Sequence, residues 1–229
     1  MPIHPTAIID PHAELDPSVA IGPYVVIEGP VVIGPRTRVL AGAYLTGATE
    51  IGADNVIHPH AVLGHEPQDL AYAGAPTGLR IGDRTIIATG AALGGHVIVE
   101  DDAFISGNCV VHQHCRAGRL SILRGLARAS RDIPPFAMVT DPHTVRGLNR
   151  VGLERAGFDR ERIRALNAAF RILFRVRTNL RLAMARVEAE ISSPDVDYLL
   201  AFIRASRRGV AFGPGRDQRG RTAGEEADE

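Results

Sequence analysis

Residues 15–38 read Leu15-Asp16-Pro17-Ser18-Val19-Ala20, Ile21-Gly22-Pro23-Tyr24-Val25-Val26, Ile27-Glu28-Gly29-Pro30-Val31-Val32 and Ile33-Gly34-Pro35-Arg36-Thr37-Arg38. Each group of six opens on a large aliphatic residue, and four places later stands a β-branched or small one. The same rule runs outward from Ile3 to Leu63 and resumes from Ile81 to Leu123, giving nineteen hexads of which only that at Ala117 lacks an opening Ile, Leu or Val. The fifth places hold Ala7, Ala13, Thr37, Ala43, Thr49, Asn55, Ala61, then Thr85, Ala91, Val97, Ala103, Cys109, Cys115, Ser121 and Ala127.

A helix spaces its apolar residues by three and four, and an ordinary strand alternates by two, so neither produces a period of six. The period predicts a parallel β-helix of hexapeptide repeats, each hexad a short strand and a turn, with three hexads per triangular coil of roughly 18 residues. The aliphatics point into the prism, the small fifth residues pack near the corners, and coils stack as parallel strands roughly 4.8 Å apart. The expected fold is mainly β, a β-helix over 1–136, followed by a C-terminal helical domain over 137–212 and a disordered tail over 213–229. Ile133-Pro134-Pro135-Phe136 marks the exit from the prism.

The register stops after Leu63 and returns in phase at Ile81. Residues 68–80 carry no repeat and are read as an external loop thrown from one corner, the usual place for function on a rigid scaffold. In the C-terminal part, Asp159 can cap a helix carrying Ile163, Leu166, Phe170, Leu173 and Phe174. Thr178 can cap a second, and Ser193-Pro194 opens a third that stops at Gly209. This apolar set is too thin to fold alone and is expected to pack on the prism or on a neighbouring subunit.

Basic and acidic residues balance at 26 each, so no global field points to nucleic acid or to an anionic membrane. Every basic residue other than histidine is Arg, which excludes lysine nucleophiles and Schiff-base chemistry. Cys109 and Cys115 share the small position of consecutive hexads and are expected as core packers in a reducing compartment. No secretory signal or transmembrane span is legible, and a cytoplasmic location is expected.

Side chains eighteen apart lie one coil above each other. His96 and His114 therefore share an outward column, with Glu66 expected one coil below His96 if the loop is an excursion, and His112 and Gln113 flanking them. A carboxylate beside an imidazole raises its basicity and fixes its tautomer, which suits a general base acting on a hydroxyl; three solvated polar groups are the plain alternative. His60 and His65 are similar in spacing to zinc ligands of gamma-class carbonic anhydrases, a short and unspecific pattern.

Gly64-His65-Glu66-Pro67-Gln68-Asp69-Leu70, Ile81-Gly82-Asp83-Arg84, Leu93-Gly94-Gly95-His96-Val97, Val111-His112-Gln113-His114-Cys115, Asp132-Ile133-Pro134-Pro135-Phe136 and Gly152-Leu153-Glu154-Arg155-Ala156-Gly157-Phe158 resemble the UDP-N-acetylglucosamine 3-O-acyltransferases of lipid A synthesis. The resemblance runs to about residue 210. It implies a left-handed β-helix homotrimer that moves a 3-hydroxyacyl chain from acyl carrier protein to a sugar-nucleotide hydroxyl, with no metal, cofactor or covalent intermediate. It implies a grip on the sugar nucleotide by Gln68 and Asp69, and a place in the cleft between subunits for His96 and Gln113. Asn149 and Arg155 fall near the carrier or nucleotide end. By the same resemblance Gly125 matches a position lining the acyl channel, preceded here by Arg124, whose charge is expected to turn outward.

After Asp83-Arg84 the family carries a segment with His-Ile-Ala-His-Asp, whose second histidine is the general base. Here Arg84 is followed directly by Thr85-Ile86-Ile87-Ala88-Thr89. The difference amounts to about two whole coils plus a short outer loop, so the prism keeps its phase. Two functions follow: an acyltransferase with His96 as base and Glu66 behind it, or a silent paralogue that binds UDP-sugar or acyl carrier protein.

Overall fold

In a computed structural model of the chain, residues 3–67, 72–140, 143–176 and 179–214 are described. The hexads form a left-handed parallel β-helix with three sheets of seven, six and eight strands, and every neighbour pair within the coils is parallel. Down the seven-stranded face, Ile27, Leu45, Leu63, Leu93, Val111 and Ala129 stand in register. All are buried, as are the fifth-place residues from Val19 to Ala127. From Ile21 to Ile105 each full coil thus buries three large aliphatics, worth about 1.5–3 kcal/mol apiece before ordering entropy. The first coil is the exception: Ile3 is 48% exposed and Ile9 and Leu15 are half-buried, because no coil lies beneath them.

The two cysteines are free and buried, and burial pushes the Cys115 thiol up to about 11. The buried side chains of Thr37, Thr49, Asn55 and Thr85 at fifth places are hydrogen-bonded to their neighbours, whereas the buried Ser121 hydroxyl has no partner among the described residues. Asn55 donates to the Gly82 carbonyl at 2.8 Å and accepts from both the N–H and the hydroxyl of Thr85 at 2.7 Å, while its own N–H donates to the Thr37 hydroxyl at 3.1 Å.

Left-handed backbone recurs at the corners with the coil period. Arg36, Asp54, Arg84 and Asp102 all have φ between 54° and 59°. They form bidentate pairs at that corner, Arg36 with Asp54 at 2.6 Å and Arg84 with Asp102 at 2.8 and 3.0 Å. At another corner Gly42 has φ +68°, and the His60 imidazole lies where a Cβ would come within 2.6 Å.

The coil stack continues past Phe136. Strand Ala137–Thr140 lies parallel on Ile122–Leu123, and Thr144–Leu148 turns back antiparallel to close the sheet. The two prolines thus bend the chain without releasing it, because Ala137 and Val139 still point inward and are buried. Helices follow: α1 over Arg150–Arg155, α2 over Arg160–Phe170 continued by a π-turn to Arg175, α3 over Leu180–Glu190 and α4 over Pro194–Arg204. Asp159 caps α2 by accepting from the Arg162 N–H at 2.8 Å. The second expected cap differs: Asn179 holds that place, accepting from Arg181, and Thr178 lies outside the described residues. The last helix ends at Arg204, five residues before Gly209, with Ala205 closing its final turn.

These helices pack on their own prism. Arg162 makes a bidentate pair with the buried Asp195 at 2.8 and 2.9 Å, tying α2 to the start of α4. The Arg116 guanidinium lies 3.8 Å over the Phe202 ring, and Tyr198 donates to Glu100 of the six-stranded face. Val210 and Phe212 return to bridge Asp132 and Thr144. The expected tail from residue 215 onward lies outside the described residues.

Candidate active site

A groove of about 950 Å³ runs along the outside of the seven-stranded face. The sixth residue of a hexad points outward, so Tyr44, Val62, Ala92 and Val110 stack one coil above another and form an apolar floor. His65, Glu66 and Pro67 rise along one side where the loop leaves the prism; His112 and Gln113 form the other. Between them lie Gly94 and Gly95, where side chains would crowd the floor: a Cβ on Gly94 would come within 3.0 Å of the Gln113 nitrogen.

The root of the loop is closed. The Thr77 hydroxyl donates to the Gly64 carbonyl at 3.1 Å, and the coil below bonds to both sides of the gap, Thr46 N–H to Leu63 and Ala48 N–H to Thr77, each at 3.0 Å. The excursion therefore lies between Gly64 and Thr77, earlier than the 68–80 read from the sequence. Strand Gly78–Ile81 already pairs with Ala48–Ile51, and Leu79 is buried at an inward fifth place two residues before Ile81.

That shift overturns the expected ladder of Glu66, His96 and His114. Gly78, eighteen residues before His96, occupies the column below it, and the His96 N–H donates to the Gly78 carbonyl. Glu66 has been carried onto the groove face, whereas His96 borders a separate depression of about 340 Å³ with Ala48, Glu50 and Arg80. The upper part of the ladder stands. The His96 and His114 rings stack with centroids 4.7 Å apart and planes 2° from parallel. Partial burial lowers the His114 pKa, and the charges of His96, Arg208 and His112 lower it further.

The structure therefore brings Glu66, His112 and Gln113 together and leaves His96 and His114 on the neighbouring edge. Gln68 and Asp69 lie outside the described residues. Gly125 is exposed on a late corner, and Arg124 is turned outward with Nη1 3.6 Å from Met138 Sδ. Asn149 is engaged at both side-chain atoms: Oδ1 caps α1 by accepting from Gly152 at 3.1 Å, and Nδ2 donates to the Leu120 carbonyl at 2.9 Å. Arg155 is exposed in the last turn of α1.

Two groove residues escape a reading of the period alone. Tyr44 is one more outward sixth-place residue; its hydroxyl donates to Glu28, which raises its pKa. His65 packs against it with ring centroids 5.7 Å apart. His65 and His60 do not converge as zinc ligands: His60 lies over Gly42 at a corner, and no group of three metal-ligating side chains occurs among the described residues.

A stacked-coil prism with an apolar surface groove and an imidazole rim is the architecture of a hexapeptide-repeat transferase, and residues 30–65 match the bacterial transferase hexapeptide model. Residues 132–211 match the second domain of UDP-N-acetylglucosamine O-acyltransferase. Two acyl-[acyl-carrier-protein]–UDP-N-acetylglucosamine O-acyltransferases are similar over nearly their whole length. That of Anaeromyxobacter sp. (strain Fw109-5) is 38% identical, covering 92% of this chain and 99% of its own, and that of Thermodesulfovibrio yellowstonii is 37% identical, covering 91% and 98%. Among solved structures, the UDP-N-acetylglucosamine acyltransferase of Bacteroides fragilis superposes with TM-score 0.62 at 33% identity, covering 91% of this chain and 99% of its own. That of Francisella novicida gives 0.64 at 26%, covering 93% and 95%. The chain belongs to the UDP-N-acetylglucosamine O-acyltransferase family. The Anaeromyxobacter alignment spans 255 positions against 229 residues in this chain, so that relative carries internal residues absent here.

Proposed function

We propose that the protein transfers a 3-hydroxyacyl chain from acyl carrier protein to a hydroxyl of UDP-N-acetylglucosamine or a closely related sugar nucleotide, as a step of lipid A biosynthesis in the cytoplasm. The observation that carries this reading is the groove: an apolar floor of Val62, Ala92 and Val110 suited to an acyl chain, beside Glu66, His112 and Gln113, which can hydrogen-bond a sugar. Its setting in a chain related end to end to acyltransferases of this specificity supports it. Gln68 and Asp69 would complete the grip on the nucleotide from the loop.

The reaction needs little from the protein beyond position and proton handling. The sugar hydroxyl attacks the thioester carbonyl carbon, a base removes its proton, and a backbone N–H steadies the oxyanion until the C–S bond breaks. No metal is required by this route.

The reading extends to a homotrimer. Val56, Ile86, Phe104, Ile122 and Met138 form an outward apolar column on the eight-stranded face, and Val26, Val62, Ala92 and Val110 another on the seven-stranded face. Val110 is 50% exposed and Ile86 37%. Prisms packed about a three-fold axis would set one such face against a different face of the next copy, a contact that closes after three.

The test is direct. Purified protein with UDP-N-acetylglucosamine and 3-hydroxyacyl carrier proteins of several chain lengths is expected to give an acylated sugar nucleotide, read by mass spectrometry. Binding of the sugar nucleotide with no product at any chain length would instead establish a silent binding paralogue.

A further inference from the structure

The groove holds an imidazole already arranged to take a proton, and from that arrangement we infer that His65 is the general base of the transfer. This rests on the acyltransferase reading above. His65 Nδ1 lies 2.8 Å from the carbonyl oxygen of Glu66. A carbonyl can only accept, so the ring proton sits on Nδ1 and the lone pair on Nε2. Among the described residues no group bonds to Nε2. The ring is half-buried, held against Tyr44 on one side and by its own backbone contact on the other. Tautomer and orientation are thus both set before substrate arrives, as a base needs.

The other candidates are less well placed. His112 has the same kind of contact, Nδ1 to the Gln113 carbonyl, but at 3.2 Å and on an exposed ring. His96 stands outside the groove with its ring stacked on His114. Glu66 faces the groove but is exposed. His65 is the last residue of strand Val62–His65, paired with Gly94 of the next coil just where the loop departs, so it moves with the prism rather than with the loop.

In the step itself, the sugar hydroxyl oxygen bonds to the thioester carbonyl carbon as its proton passes to His65 Nε2. The tetrahedral oxyanion then collapses, the C–S bond breaks, and the departing thiolate takes the proton back from the imidazolium. Atoms and charge balance with no further reactant.

The experiment compares the unaltered full-length chain with His65→Gln, His65→Ala and His96→Ala in the assay above. Both His65 variants are expected to lose about 10²–10⁴-fold in kcat, with KM for the sugar nucleotide held within about threefold. The acidic limb of the unaltered chain's kcat against pH, where an imidazole base is protonated, should flatten in His65→Gln. Added imidazole should restore part of the activity of His65→Ala, and the melting midpoint of His65→Gln should be unchanged. The assignment is overturned if the His65 variants keep kcat within about threefold. It is equally overturned if activity falls together with the melting midpoint, without imidazole rescue, or if His96→Ala alone removes the acidic limb. A chain with no transfer activity overturns both this assignment and the reading beneath it, whereas an active chain indifferent to His65 overturns only the assignment.

Discussion

Replacing Asn55 with alanine tests how much of the prism's stability lies in its buried polar column. Asn55 is fully buried, and three bonds of its side chain reach Gly82 and Thr85 in the coil above. The substitution leaves the Thr85 N–H, the Thr85 hydroxyl and one lone-pair direction of the Gly82 carbonyl without partners. Each buried orphan costs about 1–3 kcal/mol, and because the three are neighbours their sum is not simply additive. A loss of about 3 kcal/mol is expected, and at roughly 2–4 °C per kcal/mol for a domain of this size the melting midpoint should fall by about 6–12 °C. Unfolding is followed by circular dichroism at one fixed protein concentration, since association would otherwise shift the midpoint. Hydrogen exchange at the Thr85 amide gives the local readout and should quicken more than exchange at Ile27, two coils away. In the double variant with Thr85→Ala, the second substitution should cost less than it does alone, because its hydroxyl has already lost its acceptor. A fall of under about 0.5 kcal/mol for Asn55→Ala, or full additivity of the pair, would refute the column as a coupled unit.

Further outcomes follow from single features. Gly64→Ala should destabilise the loop root and raise KM for the sugar nucleotide, because Gly64 has φ +76° and a Cβ would meet Thr46 O and Thr49 Oγ1 at 2.4 Å; steady-state kinetics and melting together check it. Both thiols should resist a disulfide reagent at pH 8 in the folded chain and react once it is denatured, since burial holds the Cys109 pKa raised and that of Cys115 at about 11. His114 has its folded pKa lowered, so the unfolded state binds the proton more readily and stability falls as pH drops through the ordinary imidazole range. His114→Gln should therefore lose less stability between neutral and mildly acidic pH than the unaltered chain, measured by denaturant midpoints; an identical slope would show that the stacked pair does not titrate in that range. Sedimentation should give three times the chain mass, and Val110→Asp should shift it toward the single chain.

The period of six carried most of the fold, because it records which residues face inward at every coil and needs no knowledge of distant contacts. It carried the site less well, for a local reason. Counting from Leu63 to Ile81 shows that about twelve residues leave the coil but not where they leave it; Gly64 and Thr77 are settled by hydrogen bonds across the gap, which no pattern prints. Leu79, an inward residue of the resumed hexad, was the available clue. Misplacing the root put Glu66 under His96 and hid His65, whose bond to a backbone carbonyl is invisible in a sequence. The Pro134-Pro135 pair likewise signals a bend, while the burial of Ala137 and Val139 that keeps the chain in the sheet depends on the strand beneath.

Since Thr77 is bonded to Gly64, the segment between them behaves like an interchangeable cassette, inserted at a joint that the scaffold would close without it. Its length and chemistry can drift, or be exchanged in the laboratory, at little cost to the folding of the shaft. A library confined to residues 66–76 would then vary acceptor preference while retaining the His65 imidazole, which strand Val62–His65 keeps paired with Gly94 of the next coil.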